Sequence, residues 1–447
     1  MPTGRPVLPA DRAHRRSCRP LRRLAGVSAL VLGLLLSGPG ASAAPADAWD
    51  SADAGAGHGR NNPGESVITP ANAGQVRQAW GLDRYAGMTV APAVVGGVAH
   101  HVVTPGVVSE PATFTATSVR TGATLWTVRL PGNATYHRGV SVSGRLAVVP
   151  FDGYRRAGGV LAVDLTTRRV AWARSLPAPS AAFAWMGPVA TTAGPVTVDG
   201  GRVYLSGSSN AVNAYRLSDG APLWRTPFTT APGGTVNAIE GIAAAGSVVY
   251  TGGDEGVVAH DAATGRRLWT APGQGAPVVA GSRVLSAVHD GVIAVAAAGC
   301  GRSTCPALWR NRVPEVFHAP VLGGADGSTA FLTYTRAPST GGVVGVLARF
   351  SVATGAVQWT AKAGTWLSEP VRAGGTVWVR NEHRPGGGPE VYRLLAWSAT
   401  AGGTTPLRSV ALPADRQGIT GGLAVAGGTV VATTWPRYLD GFRVPET

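Results

Sequence analysis

The chain has 447 residues, 45% hydrophobic and 14% charged, with 63 Gly, 33 Pro and three Cys. That length can bury a large core, and the formal charge of +15 falls to +9 once the seven Arg and one Asp of residues 1–43 are set aside. The remaining Arg are scattered, Lys occurs once (Lys362) and no basic run follows residue 43, so a nucleic-acid partner, which needs clustered charge, is excluded.

Taken from the N-terminus, the first element is a targeting segment. Arg15, Arg16, Arg19, Arg22 and Arg23 precede the apolar run Leu24 to Leu36, and Ala41-Ser42-Ala43 offers a small-residue cleavage site. The apolar run is too short for the roughly 20 residues that span a bilayer, and no Cys closely follows it. Residues 1–43 are therefore expected to be a signal peptide, with secretion and no membrane anchor after cleavage. Residues 44–74 form a lead-in segment, and residues 75–447 carry a repeat.

The repeat is marked by Trp80, Trp126, Trp172, Trp224, Trp269, Trp309 and Trp359, spaced by 40 to 52 residues, with a degenerate copy at Leu407. Periods of about 40 to 50 residues point to propeller blades. Within a unit, short β-rich runs such as Arg202 to Leu205 and Ala211 to Tyr215 alternate with Gly200-Gly201 and Asp219-Gly220 turns, as four strands joined by hairpins require. The Gly four residues before the Trp (Gly122, Gly220, Gly265, Gly355) suits a turn with positive φ; Arg168 and Cys305 stand in its place twice. The Trp itself is expected to pack between blades, burying about 150 to 250 Å².

Seven complete units end at Trp126, Trp172, Trp224, Trp269, Trp309, Trp359 and Leu407, and three strands follow without a fourth: Gly422 to Val425, Thr429 to Thr433 and Tyr438 to Val444. The segment Gln75 to Trp80 supplies the missing outer strand. The predicted fold is all-β, an eight-bladed β-propeller of four-stranded antiparallel blades closed by an N-terminal strand in the last blade; closure removes an exposed sheet edge. Cys18 leaves with the signal. Cys300 and Cys305 bracket a short insertion before Trp309 and are expected to form a disulfide that staples one hairpin, contributing about 2 kcal/mol, in an oxidising compartment.

In a propeller the loops leading into the innermost strands gather at one channel mouth. Reading that slot round the chain gives Val90, Arg138, Met186, Glu240, Gly275, His318, Ser368 and Thr420, flanked by Tyr136, His137, Trp185, Phe317, Trp366 and Glu369. Arg138, Trp185, Glu240, His318 and Glu369 are the candidate ligand-binding residues: Arg138 and His318 suit an anion, Glu240 or Glu369 a base or cation ligand. Set against this, a channel mouth is polar simply because water fills it. His100-His101 reads as a strand with one His facing outward, His260 as a structural residue at a usually apolar repeat position, and His289-Asp290-Gly291 as a hairpin turn. No Ser-His-Asp order, zinc motif, phosphate loop or Ca²⁺ loop is discernible, so no catalytic residue or metal ligand is assigned.

The unit Ala259-His260-Asp261-Ala262-Ala263-Thr264-Gly265-Arg266-Arg267-Leu268-Trp269 resembles the repeat of pyrroloquinoline quinone (PQQ) propellers, Ala-x-Asp-x-x-Thr-Gly-x-x-x-Trp. The lead-in Gly57-His58-Gly59-Arg60-Asn61-Asn62, then Ile68-Thr69-Pro70-Ala71-Asn72 and Ala79-Trp80, is similar to the opening of quinoprotein alcohol dehydrogenases, as is Ala91 to Val98. The resemblance covers residues 55 to 445 and implies a propeller more firmly than PQQ with Ca²⁺: those enzymes carry adjacent cysteines, a Ca²⁺ site with an acidic residue and Asn, and an Asp base, whereas no two Cys are adjacent here. The expected function is a secreted, non-catalytic, monomeric propeller that binds a protein partner or small ligand. The alternative is a divergent quinoprotein oxidoreductase or another enzyme using the channel-mouth residues. A scaffold like the lipoprotein propellers of envelope assembly is a third reading, weakened by the missing lipid anchor.

Overall fold

The computed structural model describes residues 48–446 apart from 84–89, 105–109, 132–133, 136–138, 154–157, 177–195, 208–210, 229–238, 338–341, 384–389, 414–420 and 435–437. The proposed signal segment thus lies outside the described residues. Eight antiparallel sheets follow one another as blades 1 to 8, covering residues 93–129, 134–175, 197–227, 239–271, 278–312, 316–362, 366–411 and 423–443. Their first strands lean on one another around the ring, strand Ala93–Val95 touching both Ser141–Ser143 and Leu423–Ala426, so these strands line the channel.

Blade 8 takes its outermost strand from Arg77–Asp83, which pairs antiparallel with Tyr438–Arg443, Trp80 lying opposite Gly441. The two ends of the chain share one sheet, as the strand count predicts. Every blade has the four antiparallel strands expected, and two blades carry additions. In blade 2, Ala134–Thr135 is added to the edge of Leu146–Gly153 beside Ser141–Ser143, and blade 7 gains Trp366–Leu367 and the lead-in pair Asn61–Asn62. The extra strands all form where chain passes close to a free inner edge.

Middle strands are buried over most of their length, and Gly159–Asp164 throughout, because each blade is covered on both faces by its neighbours. For that reason His100 and His101 are both buried, 5% and 3% exposed, although an isolated strand would turn one outward. Burial holds the His100 imidazole down at about 4; it stacks on Phe114 with ring centroids 5.9 Å apart. His260 is likewise 1% exposed and held at about 4 by burial, in agreement with a structural role.

The Trp forms the seam between blades. Trp172 lies against the turn of blade 3, where a Cβ on Gly220 (φ 68°) would come within 2.6 Å of the indole, and its Nε1 donates to Leu217 O at 2.8 Å. The turn Gly therefore satisfies two demands at once, a positive φ and a flat seat for the ring. Arg168 meets the first with φ 55° and answers the second by lying over Trp126, 5.7 Å from the ring centroid. Cys305 is not the turn residue of blade 5. That place belongs to Gly299 (φ 77°), packed on Trp269, and the Cys300–Cys305 disulfide (Cα–Cα 5.6 Å) staples the insertion that follows. The residue preceding the Trp, such as Leu125, Ala171 or Leu223, is skipped in the strand register as a bulge. Leu125 and Leu223, 49% and 38% exposed, owe their exposure to it.

Candidate functional site

The channel is not left to solvent. Residues 49–62 of the lead-in run inside the ring as a strap, bonding inner strands one after another. Trp49 bridges Val94 of blade 1 through both backbone groups, and Val142 N–H of blade 2 donates to Asp50 O. Then Ala244 donates to Ala56 O, Val279 to Gly57 O, Ala325 to Gly59 O and Arg372 to Arg60 O, in blades 4 to 7. Asn61–Asn62 pairs parallel with Arg372–Ala373, and Asn62 Nδ2 donates to Val425 O of blade 8. The carbonyls thus satisfy inner-edge N–H groups that would otherwise be orphaned. Following a ring this tight forces the backbone into the left-handed region: Ala54, His58 and Arg60 have φ of 51°, 55° and 47°. Non-Gly residues hold such angles, at about 1 to 3 kcal/mol each, only where surrounding contacts over-determine them.

Side chains lock the strap. Asp53 accepts from Arg60 Nε at 2.7 Å and is bonded to His58 Nδ1 at 2.9 Å, while His58 Nε2 reaches back to Thr197 Oγ1 of blade 3 at 2.8 Å. Burial pushes the Asp53 carboxyl up, but Arg60 and His58 outweigh it and hold it well below the ordinary carboxylate range. Asp53, His58 and Thr197 stand in the order of a nucleophilic relay. They do not act as one: Thr197 is 1% exposed and its hydroxyl donates to Ile242 O at 2.6 Å, so no substrate reaches it.

Two spaces flank Arg60. A cavity of about 610 Å³ is bordered by Asp53, Arg60, Glu240, Asp254, Gln274 and His289 over an apolar wall that includes Pro277, Val288 and Leu322. A smaller one of about 130 Å³ lies between Arg60, Glu369 and Gly421. Glu240 faces the larger space because it is itself a bulge, skipped between Ile239 and Gly241 in the register of blade 4; bulges commonly re-aim a side chain in this way. Glu369 sits 3.8 Å from Arg60 Nη1 and near Arg380. The Arg380 guanidinium is 1% exposed and bonded to the carbonyls of Thr433 and Gly421; burial pulls it down to about 10, opposed by the Glu369 charge.

The sequence-derived candidates therefore separate. Glu240 and Gly275 border the larger cavity, while Glu369 borders the smaller. His318 is exposed and packs edge-on against Trp366 and Phe317, with centroids 4.0 and 4.8 Å away, and does not line either space. Arg138, Trp185, Met186 and Thr420 lie outside the described residues. Sequence reasoning missed Asp53, His58 and Arg60 altogether. The signals available were a cluster of ionisable residues in a segment with no apolar periodicity and the lead-in motif Gly57 to Asn62, neither of which that reasoning took as a site.

The lining does not fit a quinone with a metal. Asp53 is already engaged by His58 and Arg60, no two Cys are adjacent in the chain, and among the described residues no three His, Cys, Asp or Glu gather as metal ligands.

A family model described as outer membrane protein assembly factor BamB matches residues 68–236 and 156–402. Among solved structures, the chain is similar to quinohemoprotein alcohol dehydrogenase from Comamonas testosteroni (15% identity, 91% of this chain and 83% of that one, TM-score 0.63). It is similar also to BamB from Moraxella catarrhalis (16% identity, 82% and 99%, TM-score 0.54) and to a europium-containing methanol dehydrogenase (12% identity, 87% and 89%, TM-score 0.57). At these identities the likeness is one of fold. No curated protein matches the sequence significantly.

Proposed function

The chain belongs to the PQQ-like β-propeller family, and from that premise we propose that it is a non-catalytic binding module which takes a protein partner or small ligand at the channel mouth. The observation that carries this reading is the strap: the chain's own backbone occupies the channel, and its ionised groups are spent on holding that backbone in place. What remains beside it is a concave space of about 610 Å³, within the usual size of small-molecule sites. A family that includes the assembly factor described above is compatible with partner binding; fold alone does not carry a dehydrogenase's chemistry with it.

We further propose that the protein works outside the cytoplasm. The N-terminal basic-then-apolar pattern and the Cys300–Cys305 disulfide support export, and no helix among the described residues is long and apolar enough to cross a membrane. The test is reconstitution of the mature protein with PQQ and Ca²⁺, followed by absorption spectroscopy and dye reduction with alcohols and aldoses. We expect no turnover. Dye reduction that disappears in Glu240→Gln would overturn the binding reading in favour of an oxidoreductase.

A further inference from the structure

The channel-mouth cavity does not end at the ring centre. Asp254, Gln274, Val288 and His289 border both it and an open groove of about 660 Å³, which continues to Thr270, Thr304 and Arg310. Thr270 and Arg310 belong to the outermost strands of blades 4 and 5, and Thr304 to the insertion stapled by the disulfide. At the other end stand Val278 and Leu322, on the innermost strands of blades 5 and 6. One trough therefore crosses the whole width of a blade. Three strand spacings of about 4.8 Å make it about 15 Å long, room for about four or five residues of extended chain. It lies open because the connections beside it are short. Residues 254–256 and 289–290 join second to third strand in blades 4 and 5, where blades 1, 6 and 7 use 104–112, 337–343 and 384–390.

The chemistry changes along that line. The inner end is walled by Pro277, Val321 and Leu322. In the middle Gln274 is exposed; its Oε1 accepts from His289 N–H at 3.0 Å, and its amide NH2 makes no bond within the protein among the described residues. At the outer end charges are paired, Asp290 with Arg310 and Arg312, and Glu255 with Arg267. Glu240, exposed on the border of the inner cavity, has no ion pair or hydrogen bond among the described residues. An apolar pocket, a free side-chain amide and an unanswered carboxylate match the apolar side chain, the backbone and a cationic residue of one polypeptide. A compact small ligand would fill the inner end and leave the groove empty.

Resting on the binding reading of this site, we propose that the trough between blades 4 and 5 takes an extended segment of a partner protein. An aliphatic side chain sits in the inner cavity, a neighbouring Lys or Arg reaches Glu240, and the backbone runs over Gln274 to the rim.

The test is to pan a phage library of random linear dodecapeptides on the immobilised mature protein, then to measure the enriched sequences as synthetic peptides by fluorescence anisotropy. Enriched sequences are expected to place an aliphatic residue within about three positions of a Lys or Arg. Glu240→Gln should weaken the peptide about ten-fold, and a peptide whose cation is replaced by Gln should bind both proteins alike. Val288→Trp, which fills the junction of the two spaces, should abolish binding in a protein shown by its melting temperature to be folded. A tripeptide holding only the aliphatic and basic residues should bind at least about ten-fold more weakly than its parent, because it leaves the groove empty. No enriched sequence, peptides indifferent to both variants, or a tripeptide as tight as its parent would each overturn the trough as a peptide site. Dye reduction is read without peptide, so failure of the partner class is distinguishable from failure of the non-catalytic reading.

Discussion

The seam between blades and the strap inside the channel hold the same ring together by opposite means. The seam is repeated and largely apolar: an indole on a turn glycine, one N–H to a carbonyl, and a bulge that exposes the preceding residue. Each copy acts locally, so the sum grows blade by blade. The strap occurs once, is polar, and bonds six blades through its backbone groups and the other two through the side chains of Asn62 and His58. It is strained at three non-Gly residues and held by Asp53. The seam therefore carries the stability of neighbours, while the strap couples blades distant in sequence and shapes the space that the seam leaves empty.

The largest effect should come from the seam. Trp172 is 7% exposed, and Trp172→Ala removes a side chain whose loss typically costs about 3 to 5 kcal/mol. Urea unfolding at pH 7 should show that loss. A cost below about 1 kcal/mol would mean that the Gly220 turn collapses onto the vacated site and that the indole is not the cement of the ring.

The strap should respond more weakly, and with a pH signature. Asp53→Asn leaves Arg60 and His58 without their ionised partner, which in this mostly buried setting should cost about 2 to 3 kcal/mol. Because the folded-state carboxyl is held below its ordinary value, its contribution is complete above the unfolded pKa of about 4 and is lost only as pH falls below that. The gap in melting temperature between wild type and Asp53→Asn should thus be constant from pH 8 to pH 5 and narrow under stronger acid. A gap that already closes between pH 7 and 5 would show that the strap's strength does not reside in the Asp53 carboxylate.

This contrast also explains what could be read in the sequence. The blades were legible because seam chemistry recurs: the Trp spacing, the Gly before it and the missing fourth strand of the eighth blade each follow a local rule, and Arg77–Asp83 takes the place that counting assigns to it. Two local readings failed where the third dimension intervenes. His101 turned inward because blades are covered on both faces, and the turn of blade 5 moved to Gly299 because the disulfide insertion shifted the count. At the site, Glu240 and Glu369 were legible from their place before the inner strands. Arg60 was not, because its role depends on where residues 49–62 travel, and a segment bonded through carbonyls to inner strands leaves no pattern in its side chains.

The smallest effect concerns the two histidines buried within the blades. His100 and His260 are held at about 4 by burial, against about 6.5 in the unfolded chain. For a basic group whose folded value is depressed, the unfolded state binds the proton first. Nothing is lost above pH 6.5, and destabilisation grows as pH falls from 6.5 toward 4. At pH 5 each should cost about 2 kcal/mol, from about 1.4 kcal/mol per pH unit. Replacing His260 by Leu, a residue type in keeping with that apolar repeat position, should remove about half of this fall. The measurement is urea-unfolding stability of wild type and His260→Leu at pH 7 and pH 5, a window in which Asp53 remains ionised. An equal drop in both proteins would show that His260 accepts its proton without leaving the folded blade, and that the acid sensitivity of the ring resides elsewhere.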